Sequence, residues 1–210
     1  MAESAPSLLL EVEALEKPVS WESIFGKDVP VELEIGSGKG HFLTTIAALC
    51  PDSAFVGIER SRKWALHAAI RSEKAALQNV RFVHAEAIWF MEEFVATASV
   101  TAVHIYFPDP WPKRKHEKRR IWGEAFVKEI LRVLRPNGHI SVATDVKAYF
   151  LAIQETLSGI TVLEQTPIPR SWPATGYARK YLAIGRPVFA TMFVKQEPVD
   201  YVMPAIMTCE

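Results

Sequence analysis

The chain has 210 residues, 49% of them hydrophobic and 23% charged, and its 24 Lys+Arg balance its 24 Asp+Glu. That length and composition fit one domain with a full core, and no run approaches the ~20 apolar residues of a membrane helix. The neutral total hides segregation: residues 1–34 hold eight acids and two bases, whereas residues 105–140 hold four acids and nine bases, a region suited to a polyanion. The start, MAESAPSLLLEVEALEKP, has no Lys or Arg before Lys17 and is not read as a secretory signal. Cys50 and Cys209 show neither metal-ligand spacing nor a disulfide framework, which fits a reducing cytoplasm.

Strand-like runs alternate with helical patterns. VELEIG (31–36) reads as a strand and KGHFLTTIAALC as a helix; AFVGIE (54–59) as a strand and the Ala-rich segment after it as a helix. VRFVHA (80–85) is a third strand, followed by a short helix near 88–96, and VTAVHIYF (100–107) is a fourth. RRIWGEAFVKEILRVL (119–134) puts Ile121, Trp122, Ala125, Phe126, Ile130, Val133 and Leu134 on one helical stripe and stops at RPNG. HISVAT (139–144) is a fifth strand and DVKAYFLAIQETL a helix; ITVLEQ and PVFATMFVK are two more strands around a Pro-rich loop with a short helix. The expected architecture is therefore α/β: a doubly wound, Rossmann-like, mostly parallel seven-stranded sheet with helices on both faces. Ligands of such sheets bind outside the carboxyl ends of the strands. Those ends carry Gly36, Glu59, Ala85–Glu86, Asp109 and Asp145. Residues 1–20 read as a loose acidic extension.

EIGSGKG, after the first long strand, is a loop in which glycines let the main chain turn tightly and approach a ligand. A phosphate-binding Walker loop would need Gly where Leu33 stands, and a dinucleotide fingerprint would need Gly where His41 stands. What remains is Gly36-x-Gly38-x-Gly40 with an acid at Glu34, which resembles motif I of class I S-adenosylmethionine-dependent methyltransferases. Glu59 could accept both hydroxyls of a ribose, and Glu86 an adenine amino group, so the set suits a nucleoside-type cofactor.

The stretch HIYFPDPWPKRKHEKRR (104–120) delivers Asp109 to the same edge between two prolines that restrict the backbone around it. Trp111 offers a stacking face, and Lys113, Arg114, Lys115, Lys118, Arg119 and Arg120 offer phosphate contacts. A basic run where a helix is expected to begin opposes the macrodipole and points to an external anion. FPDPWPKRKHEKRR, with LEIGSGKGHFL, GIERSRKWA and ATDVKAYF, closely resembles the bacterial tRNA (guanine-N7-)-methyltransferases, from about Trp21 to Lys195.

The resemblance implies a methyltransferase domain at 21–197, between the extension at 1–20 and a tail at 198–210, that moves methyl from S-adenosylmethionine to N7 of a guanine in the tRNA variable loop. It implies cofactor contacts at Glu34, Gly36, Gly38, Gly40, Glu59, Arg60, Glu86, Ala87 and Asp109, and substrate contacts at Lys113, Asp145, Thr175 and Tyr177. RNA contacts fall on Trp111, Arg114, Lys115, Lys118, Arg119 and Arg120. The resemblance further implies tRNA as the partner, in the cytoplasm, with no membrane or metal, and a monomer or homodimer. Two positions depart from the family pattern: Glu86 stands for a shorter Asp, and Ala178 for a Glu, a loss that Asp145 could offset.

Guanine N7 carries a lone pair and no proton, so transfer needs alignment rather than a general base; Asp109, as the catalytic group, would stabilise the positive charge arriving on the purine. Two alternatives stay open on sequence: an RNA-binding protein on an impaired scaffold, and a methyltransferase with a non-RNA substrate. An NAD-dependent dehydrogenase is disfavoured by His41 in the loop. The six His residues show no metal spacing. Trp64 and Trp122 read as core, and Trp21 and Phe25 as a cover for the first long strand.

Overall fold

Runs of β-branched and aromatic residues build most of the strands near where the sequence predicts them. The computed structural model describes residues 7–109, 122–169 and 176–197. Their elements in chain order are β1 (Leu9–Leu10), α1 (Trp21–Phe25), β2 (Val31–Ile35), α2 (His41–Leu49), β3 (Ala54–Glu59), α3 (Arg62–Lys74), β4 (Val80–His84), α4 (Ala87–Phe94) and β5 (Val100–Tyr106). Then come α5 (Glu124–Val133), β6 (Leu134–Thr144), α6 (Lys147–Ser158), β7 (Leu163–Thr166), α7 (Gly176–Ala183) and β8 (Phe189–Lys195).

The sheet has the order β1-β4-β3-β2-β5-β6-β8-β7. It is parallel from β1 through β6, and β8 runs antiparallel to both β6 and β7. Alternation along β2 and β3 divides two cores. Val31, Leu33, Ile35, Val56 and Ile58 face α4, α5 and α6 through Phe90, Phe126, Ile130 and Ile153. Phe55, Val80 and Phe82 face α2 and α3 through Phe42, Leu43, Ala65 and Ala68. Such two-sided cover is what lets the parallel strands read as near-continuous apolar runs. Arg132 fastens α5 to the end of α4, donating to Val95 O at 2.9 Å and Met91 O at 2.7 Å while pairing with the buried Glu129. The two carbonyls end α4, where a cation complements the macrodipole.

Four details differ from the sequence reading. Among the described residues the sheet has eight strands, not seven, because residues 7–20 of the acidic N-terminal stretch are not a loose extension: Leu9 and Leu10 pair in parallel with Phe82 and Val83. Leu8, Leu9 and Val19 are buried, and Glu73 accepts from Ser7 Oγ and Leu8 N. Three consecutive leucines were enough apolar surface to dock an otherwise charged segment. Helix α5 starts at Glu124 rather than 119: Gly123 is an extended N-cap (φ −90°, ψ 164°), and the first turn holds an acid. The basic run at 113–120 therefore does not occupy the first turn of α5, which the non-helical Trp122 and Gly123 precede. Ala125 is exposed, and Val127 takes its place on the buried stripe. Finally RPNG does end the helix but lies inside β6, where Asn137 turns left-handed (φ 62°) and the register with β5 shifts between Val100 and Ala102, the signature of a bulge.

Candidate active site

The carboxyl ends of β4, β3, β2, β5 and β6 form one row in that spatial order, each about 4.8 Å from the next. Glu86 follows β4, Glu59 ends β3, the glycine loop follows β2, Asp109 follows β5 and Asp145 follows β6. Strands β2 and β5 are direct neighbours with Ile35 level with Ile105. The glycine loop and the Pro108–Asp109 turn thus leave the sheet side by side.

In the loop Gly36, Gly38 and Gly40 all have positive φ (73°, 54° and 68°). The Gly36 amide donates to Ile58 O at 2.8 Å and the Gly40 amide to Ser37 O at 2.9 Å. A Cβ on Gly36 would meet nothing within 4 Å, so that side of the turn is open to a ligand. The other side is closed: a Cβ on Gly40 would lie 2.7 Å from Ala68 Cβ, and one on Gly57 would lie 2.8 Å from Ser37 Oγ. Close approach to α3 and β3 is what fixes the loop.

Glu59 holds this cradle together, accepting from Gly38 N at 2.8 Å and from Ser61 N at 2.7 Å. Glu34 lies beneath it at 4% exposure, and its Oε2 has no hydrogen-bond partner among the described residues. Burial, and then the charge of Glu59, push the Glu34 carboxyl well above its ordinary range. An orphaned acid under an open glycine turn is a donor-poor cradle that a polar, cationic group would complete, so these residues fit the nucleoside-type cofactor expected from sequence. Glu86 is exposed and caps α4, accepting from Trp89 N at 3.0 Å; Ala87 is buried behind it and Arg60 is exposed.

Asp109 is exposed. Its approach is set by Phe107, whose φ of 51° is a left-handed conformation that bulky residues seldom adopt. The Phe107 amide donates to Ala143 O at 2.7 Å and its ring lies 5.5 Å from that of Tyr181; these contacts hold the bend. Asp145 pairs with Arg186 at 3.1 Å, and the guanidinium sits 4.9 Å above the Tyr181 ring. Ala178, where the resembled family has Glu, is 7% exposed. Tyr177 lies in α7. Trp111, Lys113, Arg114, Lys115, Lys118, Arg119, Arg120 and Thr175 lie outside the described residues.

Sequence reasoning missed Phe107 and Arg186, which no spacing marks. It also missed a buried polar chain between β2, β5 and β6: Glu32 Oε2 accepts from His104 Nε2 at 2.8 Å, Tyr106 Oη is 3.2 Å from His104 Nδ1, and Tyr106 donates to Ser141 Oγ at 3.0 Å. Glu32 and His104, polar interruptions of apolar strands, were the available signal. Trp122 packs on the core through Phe126, but Trp64 does not read as core: it is half-buried, with Lys39 and Lys63 against its ring. Among the described residues no group of three or more His, Cys, Asp or Glu could hold a metal, and no helix is long and apolar enough to cross a membrane.

Sheet order and glycine loop together define the Rossmann-like class I methyltransferase scaffold. The fold is similar to that of an Aquifex aeolicus protein solved as a SAM-dependent methyltransferase, with TM-score 0.56 and 13% identity over 81% of this chain and 85% of that one. A family model described as "Putative methyltransferase" matches residues 28–191. The chain is 36% identical over 194 residues to the tRNA (guanine-N(7)-)-methyltransferase of Syntrophotalea carbinolica, covering 90% of this chain and 84% of the relative. It is 32% identical over 202 residues to that of Geobacter metallireducens, covering 93% and 96%. The chain belongs to the tRNA (guanine-N(7)-)-methyltransferase family.

Proposed function

We propose that the protein methylates N7 of a guanine in the variable loop of tRNA, in the cytoplasm. The observation that carries this reading is the adjacency of the open glycine turn and Asp109 on neighbouring parallel strands. One ligand lying on β2 and another meeting Asp109 would be side by side. S-adenosylmethionine, when bound, supplies an electrophilic methyl on a sulfonium.

The chain's own residues do the rest. Gly36, Gly38 and Gly40 admit the cofactor to the main chain; Glu59, already anchored by two amides, presents its remaining lone pairs to ribose hydroxyls. Glu86, with Ala87 behind it, takes the adenine side, Arg60 flanks the ribose side, and Glu34 balances cofactor charge from below. Asp109 accepts from the guanine N1–H or N2–H edge and stabilises the positive charge that reaches the purine. The bend at Phe107 limits how far Asp109 can wander, which is the alignment such a transfer needs. Arg186 holds Asp145 at the neighbouring position, and Lys113, Thr175 and Tyr177 complete the substrate side. The phosphate backbone falls to the cations at 113–120 and to Trp111.

The test is transfer of radiolabelled methyl to unmodified tRNA, with the product digested by nuclease and identified by mass spectrometry. A 7-methylguanosine in the variable loop is the expected product. Label on another base, or none above a tRNA-free control, would refute the reading.

A further inference from the structure

Between Arg60 and Ser72 the chain carries Arg60, Arg62, Lys63 and Arg71 and not one carboxylate. All four are exposed, as is His67. Lys39, exposed in the glycine loop, reaches over to join them: its Nζ lies 4.7 Å from the centroid of the Trp64 ring, and Lys63 Nζ lies 5.1 Å from the same centroid. Arg71 Nε donates to Lys39 O at 3.1 Å and so ties the loop to α3. None of these Lys and Arg side chains is ion-paired among the described residues.

This arrangement leaves its cations without a counter-charge in the free protein. Two ammonium groups share one indole, whose electron-rich face attracts each without neutralising either. Arg62 and Lys63 occupy the first turn of α3, which has no acid, and so oppose the macrodipole. An anion would supply that counter-charge, and once Lys39 or Lys63 turns from the ring to a phosphate the half-buried Trp64 offers a flat face of the sort on which a base can stack. The complement is a chain of phosphates bearing aromatic bases.

We propose that Lys39, Arg62, Lys63 and Trp64 form a tRNA-gripping surface, separate in sequence from the run at 113–120 and on the other side of the glycine loop from Asp109. The inference rests on the reading of the chain as a tRNA methyltransferase. Only β2 separates β3, which leads into α3, from β5, which leads to Asp109, a span of about 10 Å. One RNA strand can therefore touch the patch while its guanine sits at Asp109. Lys39 belongs to both the cofactor loop and this surface, so RNA seated here would also brace the loop.

The experiment compares wild type, Arg62→Gln/Lys63→Gln, Trp64→Leu and Lys74→Gln in equilibrium binding to an unmodified tRNA transcript across a salt series. The double variant is expected to bind about tenfold more weakly near physiological salt, with its log–log salt slope smaller by about 0.7–0.9 for each phosphate that is no longer neutralised. Trp64→Leu should weaken binding with the slope intact, since no charge is removed; Lys74→Gln, at the far end of α3, should match wild type. In turnover the loss should appear in KM for tRNA and not in S-adenosylmethionine affinity. Equal affinity and slope in wild type and the folded double variant would overturn the proposal. So would a change in sedimenting mass without a change in slope, because Leu66 and Ile70, also exposed on α3, would then mark a protein contact. If wild type methylates no guanine yet the double variant still loses slope, the surface stands and the functional reading falls.

Discussion

Arg186 Nη2 lies 3.1 Å from Asp145 Oδ2 and joins the loop before β8 to the carboxyl end of β6. Asp145 is the acid that could replace the Glu absent at Ala178, and here a cation already holds it. Arg186 is half exposed, so the pair adds only about 0.2–1 kcal/mol to stability. Its effect should appear in catalysis. Arg186→Gln is expected to leave the melting temperature within a few degrees of wild type and to lower kcat/KM for tRNA about tenfold, with Arg186→Lys partly restoring it. Steady-state kinetics at fixed cofactor measure this, and an unchanged kcat/KM in Arg186→Gln would remove Asp145 from the substrate side.

Asp109→Asn keeps the shape of the side chain and removes its charge. If that charge stabilises the purine as methyl arrives, kcat should fall about 10²–10³-fold, the loss seen when one preorganised electrostatic contact is removed. Cofactor affinity should weaken less than tenfold. Near-normal kcat in single-turnover methylation would contradict the assigned role.

Glu34 links cofactor binding to protons. Burial and then Glu59 hold its carboxyl in the protonated form above the ordinary range. A cationic ligand favours the ionised form, so binding should release a proton. Titration calorimetry of S-adenosylmethionine in phosphate and in Tris should give apparent enthalpies that differ in proportion to the buffers' ionisation heats; identical enthalpies would exclude the linkage. The sign for stability follows from the raised folded-state pKa: the native state is favoured below the unfolded value and loses that advantage as pH rises through the folded one. Glu34→Gln should therefore melt higher than wild type at neutral and alkaline pH, with the gap closing toward pH 4.5.

His139 has the opposite sign. Burial, followed by the neighbouring charge of His104, lowers its pKa from 6.5 to about 4, with Glu32 pulling the other way. The unfolded chain takes up the proton first, so stability is full above about 6.5 and drains away as pH falls toward 4. The limit for such a shift is about 3 kcal/mol. Denaturant midpoints between about pH 7 and about pH 4 should fall less steeply in His139→Gln than in wild type. Parallel slopes would show that this histidine does not carry the acid sensitivity.

Gly40→Ala tests the closed side of the cradle. The new methyl would lie 2.7 Å from Ala68 Cβ on a left-handed residue. Strain of about 1–2 kcal/mol from the backbone and about 1–3 kcal/mol from overpacking should lower stability and weaken cofactor binding together, whereas Ala68→Gly in the same chain should recover part of both. Full cofactor affinity in Gly40→Ala would mean that the loop does not depend on this contact.

The parallel strands, their helices and the positions of Glu34, Glu59 and Asp109 were legible because apolar period and loop glycines are local signals. Leu9–Leu10 was not, since two residues of strand carry no period and their pairing with Phe82 and Val83 is long-range. The start of α5 was misplaced because Arg119 to Trp122 continue the helical stripe, and nothing nearby announces that Gly123 is extended. At the site, residue types were legible but their partners were not: no spacing shows that Arg186 reaches Asp145 or that Trp64 leaves the core to meet Lys39. The bend at Phe107 breaks the usual preference of a bulky residue, and such exceptions are set by surrounding packing rather than by the residue itself.

The Leu9–Leu10 pairing has a consequence for biosynthesis. Its partner strand lies far downstream, and the Glu73 carboxylate that tethers Ser7 and Leu8 is also made later. The leucines cannot dock on β4 until the ribosome has translated everything between. Once docked they cover the flank of β4, where bare amides and carbonyls would otherwise recruit a strand from another molecule. Shortening the chain past Leu10 should therefore show itself first as clumping of nascent protein and poor yield, before any fault in the purified enzyme's turnover.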